Sequence, residues 1–344
     1  MMMRPALVSS CDVPSDPSVI ITRTPLRISL GGGGTDLPSY YERFGGMVLS
    51  AAIDKYIFVA MNRTFTDDYF LKYSALERVQ SREDIEHPIV REAFAIHEME
   101  PSVEMVSVAD IPAGTGLGSS GAFTVGLLRS IYAFEHKHVT PGILAEEACL
   151  IEIDRLGRPV GKQDQYIASF GGFNCFTFEP DGSVTVTPLR LTSDTRYDIE
   201  EHLLMFFTGY SRDADNMLED QKERSERGDS EMIEGLHVVK SIGQASKEVL
   251  EAGDTEQFAA LMHDHWIRKR ERSVGMTNDM IDRWYQRGID NGALGGKLVG
   301  AGAGGFLLFY ARDPSNLRKA MTAEGLTEVR FLFDHDGSVV LARD

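Results

Sequence analysis

Along this chain, segments in which apolar and polar residues alternate lie between longer segments in which apolar residues recur three and four positions apart. Alternating apolar and polar residues predict strands, and apolar residues three and four positions apart predict helices. Strands are predicted at 19–30, 56–62, 103–108, 173–178, 183–189, 328–333 and 338–342, with two more inside 295–310, and helices at 84–98, 122–131, 141–155, 231–252, 256–272, 278–288 and 314–323. Strands and helices that segregate in this way predict an α+β fold, with a C-terminal part of ferredoxin-like type.

A glycine-rich loop joins the strand predicted at 103–108 to the helix that follows it. From residue 110 it reads Asp-Ile-Pro-Ala-Gly-Thr-Gly-Leu-Gly-Ser-Ser-Gly. The glycines can adopt positive φ and let the backbone approach a ligand closely, and Ser119 and Ser120 suit the cap of the helix. Because amide groups and the positive end of the helix dipole meet there, the loop predicts a binding site for an anion such as a nucleotide phosphate.

Two stretches also fit the dinucleotide-binding pattern G-x-G-x-x-G, at 116–121 and 300–305. In proteins with that pattern a second strand ends in an acidic residue about 20 positions further on, which holds a ribose. Residues 141–154 are predicted as a helix instead, which argues against a hydride-transferring dehydrogenase. No lysine follows these glycines, so the sequence lacks the phosphate-binding pattern G-x-x-x-x-G-K-[ST] as well.

The composition is that of an acidic globular protein. Its 344 residues include 35 Lys and Arg against 52 Asp and Glu, a formal net charge of −17. Nucleic acids and anionic membranes attract basic surfaces, so neither is an expected partner, and a phosphorylated ligand would need a locally basic pocket. No apolar run approaches the ~20 residues of a membrane span, the first residues lack the apolar core of a signal peptide, and the three cysteines have no metal-ligand spacing. A cytoplasmic location with reduced thiols is expected.

Three segments together resemble the motifs of the GHMP small-molecule kinases, the family of galactokinase, homoserine kinase and mevalonate kinase. The central motif is Pro-Ala-Gly-Thr-Gly-Leu-Gly-Ser-Ser-Gly-Ala at 112–122, the first is Thr-Pro-Leu-Arg-Ile-Ser-Leu-Gly-Gly-Gly-Gly-Thr-Asp at 24–36, and the third lies within 295–310. They occur in the family's order, and the resemblance covers residues 20–344. It implies a two-domain GHMP kinase fold: a flexible tail at 1–18, an N-terminal ribosomal-protein-S5-like α/β domain that binds ATP at 19–195, and a C-terminal ferredoxin-like α+β domain at 196–344.

The same resemblance implies catalytic and nucleotide-binding roles. Residues 157–165, Gly-Arg-Pro-Val-Gly-Lys-Gln-Asp-Gln, match the galactokinase segment Gly-Val-Pro-Cys-Gly-Ile-Met-Asp-Gln, which makes Asp164 the group that takes a proton from the attacking hydroxyl. Arg27 and Lys162 would supply positive charge to the moving phosphoryl group, although galactokinases have an apolar residue in place of Lys162. The implied cofactor is Mg²⁺ with ATP as phosphoryl donor, and Ser120 and Glu152 are its candidate ligands. The predicted ATP contacts are Pro112, Gly114, Gly116, Leu117, Gly118, Ser119 and Ser120.

The first motif departs from that of galactokinases at the expected acceptor site. Those enzymes have Glu-His before Thr-Asp, whereas this chain has Gly33 and Gly34 before Thr35 and Asp36, a form associated with the heptose 7-phosphate kinases of the family. By the resemblance Asp36 hydrogen-bonds a sugar hydroxyl, and Gly33, Gly34 and Thr35 are predicted to contact the substrate as well. Gly302 and Gly304 of the third motif are further predicted substrate contacts.

A phosphorylated sugar would also need a basic clamp, because Arg binds phosphate in a bidentate way. One candidate is the basic end of the helix predicted at 256–272, with Arg268 and Lys269, and another is the pair Arg155 and Arg158. The basic helix end has an alternative explanation, since positive charge there complements the helix dipole without any ligand.

The leading hypothesis is an ATP-dependent sugar kinase that phosphorylates the anomeric hydroxyl of D-glycero-D-manno-heptose 7-phosphate to the 1,7-bisphosphate, for the synthesis of nucleotide-activated heptose. The alternatives are a kinase for an unphosphorylated sugar of fucose or galactose type, and a non-catalytic regulator that binds sugar and ATP. A basic pocket beside Asp36 would favour the first and a neutral pocket the second. The presence of Asp164, Glu152, Ser120 and Arg27 argues against the regulator. ATP and a small sugar are the expected partners, and a homodimer is a further expectation.

Overall fold

A computed structural model describes residues 19–209, 215–272, 276–300, 302 and 304–343, without the side chains of residues 215–217, 271 and 272. The tail predicted at 1–18 lies outside the described residues. The strands are β1 Ile20–Gly31, β2 Gly46–Arg63, β3 Tyr69–Lys72, β4 Leu76–Val79, β5 Val103–Ala109, β6 Phe173–Phe178, β7 Val184–Pro188, β8 Leu203–Phe207, β9 Ala293–Val299, β10 Phe306–Ala311, β11 Thr327–Glu328 and β12 Val339–Arg343.

Helices of very different lengths connect these strands. They are α1 Pro38–Phe44, α2 Pro88–Ile96, α3 Ser119–Phe134, α4 Pro141–Cys149, α5 Gln163–Phe170, α6 Ser193–His202, α7 Asp215–Glu226, α8 Ser230–Ala252, α9 Thr255–Arg272, α10 Asp279–Asp290 and α11 Pro314–Ala323, with a 3-10 turn at Arg82–Asp84 and a π-helical segment at Leu150–Arg155. The sequence pattern did not predict α1, α5, α6, α7, β3 and β4, because these elements are short or mostly polar. No helix in the described ranges is long and apolar enough to cross a membrane.

The larger sheet has the strand order β12-β1-β2-β5-β3-β4. Its long strand β2 pairs with different strands along its two halves. The first part of β2, Gly46–Ala51, pairs with β6, and its last part, Ile57–Arg63, pairs with β5. β6 and β7 form the predicted hairpin beside the first part. Because β1 pairs with β2 from Ile20 to Gly31, residues 24–31 of the first motif lie on a strand that is held along its whole length.

Helix α3 packs on β1 and β2 and carries the glycine loop at its N-terminus. Its inner side chains, Val125 and Leu128 among them, are fully buried in the main core. The chain enters the helix through Gly118 in the left-handed region, with φ of 77°, and no side chain caps the first turn. Contrary to the prediction, Ser119 and Ser120 are therefore not caps but the first residues of the helix.

The helix predicted at 141–155 changes its winding after Cys149. The α-helical part starts at Thr140, whose side chain accepts a hydrogen bond from the amide of Ile143 at 3.4 Å. The π-helical segment Leu150–Arg155 continues it and carries the fully buried Glu152. Wide turns of this kind are frequent at functional sites.

The smaller sheet, with the order β11-β8-β10-β9, is antiparallel throughout and is covered by α9 and α10. Phe206, Trp266 and Phe309 form part of the core on one of its faces. The main core continues from the larger sheet to the other face, since Leu26 and Val125 belong to the same apolar cluster as Met205 and Phe258. The two sheets thus enclose one continuous hydrophobic core.

The C-terminal strand does not stay with the smaller sheet. The sequence analysis placed the strands predicted at 328–333 and 338–342 together in the C-terminal domain. In the structure Thr327–Glu328 pairs with β8, whereas Val339–Arg343 crosses over and pairs with β1. The chain therefore returns to the sheet that it started from, and its last strand forms an edge of the N-terminal sheet.

Candidate active site

A cavity of about 930 Å³ opens between the N-terminal and C-terminal parts of the chain. Its walls come from the glycine loop, the turn after β1, the start of α5, and the facing sides of α9 and β9. Elements that are far apart in the sequence therefore place their polar side chains around one space.

Arg27 and Asp164 form an ion pair in the wall of this cavity. The Nε of Arg27 donates to Oδ1 of Asp164 at 2.7 Å, and Nη1 donates to the carbonyl oxygen of Gly116 at 2.5 Å. The side chain of Arg27 is 7% exposed and that of Asp164 is 26% exposed, so a ligand in the cavity reaches the carboxylate more easily than the guanidinium. Asp164 lies in the first turn of α5. The pair fixes the carboxylate beside the glycine loop.

The glycine loop presents its backbone to the cavity. Gly114, Gly116 and Gly118 have φ of 76°, 84° and 77°, a region that glycine adopts without strain. These three residues line the cavity, and Ser119 and Ser120 line it as well. Two predicted ATP contacts have other positions. Pro112 is exposed outside the cavity wall, and Leu117 is fully buried in the main core.

The turn between β9 and β10 supports the glycine loop from the C-terminal side. A Cβ at Gly300 would lie 2.5 Å from the Cα of Gly116, so the two turns touch backbone to backbone. Gly300 lines the cavity. Contrary to the prediction, Gly302 and Gly304 are not part of the wall: Gly302 lies against Met276, and Gly304 is buried.

Glu152 is fully buried and accepts four hydrogen bonds. Its Oε1 accepts from Thr124 Oγ1 at 3.1 Å and from Gln165 Nε2 at 2.9 Å. Its Oε2 accepts from Ser120 Oγ at 2.5 Å and from Arg158 Nη1 at 3.1 Å. Burial raises the pKa of Glu152, and the hydrogen bonds and the charge of Arg158 oppose that shift.

The donor set formed by Ser120 and Glu152 fits the implied metal in its chemistry. Mg²⁺ takes hard oxygen ligands, commonly one or two carboxylates together with phosphate oxygens. A carboxylate and a hydroxyl stand side by side here, next to the glycine loop. The guanidinium of Arg158 now donates to both oxygens, at 2.5 Å to Ser120 Oγ and 3.1 Å to Glu152 Oε2. A bound cation would take over or share the place of this arginine.

Asp36 lies in a tight pocket of backbone amides at the other side of Asp164. Its Oδ1 accepts from the amide of Gly34 at 3.0 Å and its Oδ2 from the amide of Gln163 at 3.2 Å. Burial raises the pKa of Asp36, and the negative charge of Asp164 adds to the shift. Asp36 lines the cavity, so a sugar hydroxyl could donate to it.

Gly33 and Gly34 also line the cavity, and Gln221 on α7 donates to the carbonyl of Gly34 at 2.8 Å. Thr35 differs from its prediction as a substrate contact. Its side chain is fully buried, and its Oγ1 lies 2.8 Å from the carbonyl oxygen of Gly32 and 2.9 Å from that of Met47. Thr35 therefore holds the turn after β1 in shape.

Lys162 faces a different cavity from Asp164. Its ammonium donates to the carbonyl of Gly182 at 2.7 Å, lies 3.6 Å from Glu146, and lines a neighbouring cavity of about 890 Å³. Lys162 is the N-cap of α5 and Asp164 is the second residue of that helix, and two residues at this spacing differ in direction by about 200°. One of them therefore points to the active-site cavity and the other away, which contradicts the catalytic role predicted for Lys162.

Of each predicted phosphate clamp, only one of the two residues lines the cavity. Arg155 is 43% exposed and donates to Glu92 at 3.1 Å, away from the cavity, whereas Arg158 lines it. On α9, Lys269 lines the cavity and Arg268 is exposed outside the wall. The ammonium of Lys269 donates to the carbonyl oxygen of Gly300 and so supports the second glycine turn.

The sequence analysis missed Lys297 and His265, which are both buried in the cavity wall. Burial, with the charge of Arg27 as the second cause, lowers the pKa of Lys297 to about 7. A signal for Lys297 existed, because it is a charged residue within a strand of glycine and apolar residues. His265 lies on α9, one helical turn before Lys269.

The end of the cavity away from Asp36 is apolar and aromatic. His87 makes an edge contact with Tyr73, with ring centroids 4.6 Å apart, and a tilted contact with Phe123 at 5.0 Å. Ile57 and Ile111 complete this side of the wall. Burial lowers the pKa of His87, which favours the neutral ring. Tyr73 and His87 come from segments without a motif, so only the fold brings them beside Phe123, which follows the central motif.

Comparisons with known proteins agree with this architecture. The GHMP kinases N terminal domain matches residues 84–172, and GHMP kinases C terminal matches residues 246–326. The D-glycero-alpha-D-manno-heptose 7-phosphate kinase of Campylobacter jejuni is 33% identical over 334 residues, which cover 92% of this chain and 97% of that protein.

Solved structures share the fold over nearly the whole chain. A D-glycero-D-manno-heptose 1-phosphate kinase from Bacteroides thetaiotaomicron aligns with a TM-score of 0.75 and 24% identity, over 93% of this chain and 97% of that chain. Lactococcus lactis galactokinase complexed with galactose aligns with a TM-score of 0.73 and 17% identity, over 94% of each chain. At these identities the two structures show a likeness of fold.

The two family matches fall on the segments that build the cavity. The first contains the glycine loop, Glu152 and Asp164, and the second contains α9 and β9. Since a relative is also matched over nearly its full length at 33% identity, the chain belongs to the GHMP kinase family and is an ATP-dependent kinase.

Proposed function

We propose that the protein transfers the terminal phosphate of ATP to the anomeric hydroxyl of D-glycero-D-manno-heptose 7-phosphate, giving the 1,7-bisphosphate. The observation that carries the proposal is the concentration of positive side chains in the cavity wall of an otherwise acidic protein. In a chain of net charge −17, Arg27, Arg158, Lys269 and Lys297 line the same cavity as Asp164. Such a cavity suits ligands that bring several phosphates together, because positive charge concentrates where the ligand charge is negative. The name of the Campylobacter jejuni relative supports the same substrate.

The chemistry follows from the ion pair. The substrate hydroxyl attacks the terminal phosphorus of ATP, its proton passes to the carboxylate of Asp164, and the bond to the leaving ADP oxygen breaks. A positioned base of this kind contributes roughly 10²- to 10⁴-fold in rate. Arg27 keeps the carboxylate in place through its Nε, 2.7 Å from Oδ1. Ser120 and Glu152 would hold Mg²⁺, which when bound neutralises charge on the phosphates of ATP.

The apolar end of the cavity offers a place for the adenine base. Tyr73, His87 and Phe123 provide aromatic surface there, in the same cavity as the glycine loop and Asp164. A nucleotide that enters with its base at the aromatic end would have its phosphates over the loop and its terminal phosphate near Asp164. This direction also leaves Asp36, Gly33 and Gly34 for the sugar.

The alternatives are less well supported. A kinase for an unphosphorylated sugar is less well supported, because the relative matched at 33% identity is named for a phosphorylated heptose. A non-catalytic regulator would not need the pair of Arg27 and Asp164. A dehydrogenase is excluded, because the chain is a GHMP kinase. The homodimer and the cytoplasmic location remain predictions from the sequence.

The test is a comparison of two acceptors that differ only in a phosphate. ADP release would be measured with Mg·ATP and either D-glycero-D-manno-heptose 7-phosphate or the same heptose without its phosphate, and phosphorus NMR would identify the product. We expect a strong preference for the phosphorylated sugar and a new anomeric phosphate signal. An equal or reversed preference would assign an unphosphorylated substrate, and no ADP release with either sugar would favour the regulator.

A further inference from the structure

Lys297 on β9 is a buried lysine with an unusual environment. Its side chain is 3% exposed and lies in the wall of the active-site cavity. Its neighbours on the strand are Gly295, Gly296, Leu298 and Val299, none of which offers a counter-charge. Lysines are almost never fully buried unless they are paired, because removal of the ammonium from water is costly. The low pKa of about 7 reflects that cost.

No hydrogen bond or ion pair of the Lys297 ammonium is found within the part of the chain that the structure describes. Other cations of the cavity differ in this respect. Arg27 is paired with Asp164, Arg158 donates to Glu152, and Lys269 donates to the carbonyl of Gly300. The charge that acts on Lys297 is that of Arg27, which is also positive. The site therefore holds two neighbouring cations and leaves one of them for a ligand.

The position of Lys297 indicates which part of a ligand it meets. Lys297 lies three residues before Gly300, and the backbone of Gly300 contacts Gly116 of the glycine loop. Arg27 donates to the carbonyl of the same Gly116 and to Asp164. Lys297 thus lies where the phosphate loop meets the carboxylate that faces the acceptor.

We propose that Lys297 binds an oxygen of the terminal phosphate of the nucleotide and stabilises the negative charge on that group during its transfer. The proposal rests on the kinase function stated above. It gives Lys297 the role that the sequence suggested for Lys162. Lys297 is then a catalytic residue, because its ammonium touches the group that moves, and its burial strengthens the attraction by excluding water.

The test uses Lys297→Met, which keeps the length of the side chain and removes its charge. We expect kcat to fall about 10²- to 10³-fold, the range for loss of one such donor, with little change in KM for the sugar. In calorimetry, K297M should bind Mg·ADP like the wild type and bind a non-hydrolysable ATP analogue at least about tenfold more weakly, since the ADP complex lacks the terminal phosphate.

Thermal unfolding of the ligand-free protein separates this role from a structural one. Burial of a charged lysine costs stability, so K297M should melt a few degrees above the wild type near neutral pH. Because the folded pKa of Lys297, about 7, lies below the unfolded value of about 10.4, the wild type gains stability as pH rises between them, and the difference from K297M should shrink.

The matched control is Lys247→Met, on α8, where the lysine is partly buried and paired with Glu251 at 2.9 Å. It should leave kcat and the affinity for the ATP analogue unchanged. Unchanged kcat and analogue affinity in K297M would overturn the proposal, and so would a lower melting temperature. A rise in KM for the sugar phosphate alone would overturn it too, in favour of the substrate's own phosphate. If the wild type turned over no sugar but bound the ATP analogue in a Lys297-dependent way, the kinase function would fail and the phosphate contact would stand.

Discussion

At the scale of single residues, chemistry here depends on side chains that are distant in sequence. Asp164 and Arg27 are separated by 137 positions and are joined by a hydrogen bond of 2.7 Å. Glu152 reaches Ser120 across 32 positions. Arg27 holds the carboxylate of Asp164, and four donors hold that of Glu152, so both positions are fixed before a ligand arrives. A pre-arranged group costs little reorganisation at the moment of reaction.

The role of Asp164 can be tested by Asp164→Asn, which keeps the size of the side chain and removes its charge. We expect turnover to fall at least about 10²-fold, because no carboxylate remains to take the proton. ATP affinity should change less than about threefold, a loss of well under 1 kcal/mol, since the glycine loop is intact. Steady-state ADP release and calorimetry measure the two quantities.

Asp336→Asn is the control for this variant. Asp336 is an exposed aspartate that pairs with Arg23 at 3.0 Å, outside the cavity wall. Its replacement should leave both quantities unchanged, since exposed ion pairs contribute little to the fold. Turnover like the wild type in D164N would remove Asp164 from its proposed role.

At the scale of elements, the close approach of α3 and α5 places Asp164 beside the loop. A Cβ at Gly121, in the first turns of α3, would lie 2.7 Å from the Cβ of Asp164. No ordinary contact is that short, so any larger side chain at 121 would push the two helices apart. The glycine is thus needed for the distance between two helices and not for its φ.

Gly121→Ala is therefore expected to displace α5 and to lower kcat. Overpacking of this kind costs typically about 1–3 kcal/mol of stability. The control is Gly142→Ala, on α4. Its new Cβ would meet Phe170 at 4.0 Å, an ordinary contact, so the change should be neutral or slightly stabilising, because alanine favours helices. Steady-state kinetics and urea unfolding of both variants measure kcat and stability. An equal kcat in the two variants would show that the distance between α3 and α5 does not control Asp164.

A buried histidine ties three helices together. His97, which ends α2, lies 3.0 Å from Glu135 through Nδ1 and 2.8 Å from Glu147 through Nε2. Burial alone would lower the pKa of His97, but the hydrogen bonds and charges of Glu147 and Glu135 outweigh it, and the pKa is raised. The folded state therefore favours the protonated ring.

The pH dependence of stability follows from that shift. The stabilising contribution of His97 is complete below its unfolded pKa of about 6.5 and is lost as pH rises through the higher folded value. We expect the free energy of unfolding of the wild type, relative to His97→Gln, to decrease as pH rises from about 6 to above neutrality. Urea unfolding at a series of pH values measures it, and a constant difference would contradict the assignment.

At the scale of the whole molecule, the chain closes on itself. β12 pairs with β1 from Arg343 opposite Ile20 to Val339 opposite Arg23, and Ser338 Oγ lies 2.8 Å from Thr24 Oγ1. The strand that carries Arg27 is thus flanked by β2 on one side and by the C-terminus on the other. The last residues of the chain support the first motif.

Deletion of residues 338–344 should destabilise the N-terminal sheet. A lost hydrogen bond costs on average about 1 kcal/mol, and several are removed at once, so we expect a loss above about 3 kcal/mol in urea unfolding. Leu341→Thr, at a position that is 51% exposed, should cost less than about 0.5 kcal/mol and is the control. Unfolding like the wild type after the deletion would mean that β12 does not support β1.

Local patterns in the sequence were enough for much of this protein. Alternation and helical spacing predicted β1, β5, α3 and the long helices α8 and α9, because these signals depend on near neighbours. The glycine-rich sequence of the loop predicted positive φ angles and an anion site without any knowledge of its contacts. The motif residues Arg27, Asp36, Ser120, Glu152 and Asp164 were named from the sequence, and the structure brings them around one cavity.

Only the tertiary structure decided which cations face that cavity and where the last strand goes. Lys162 and Lys297 look alike in the sequence, but the direction of each side chain follows from the start of α5 and from the face of β9. Tyr73 and His87, which form the aromatic end with Phe123, belong to no motif. Strand pairing and side-chain direction depend on partners far along the chain, and a local pattern of apolar residues carries no information about them.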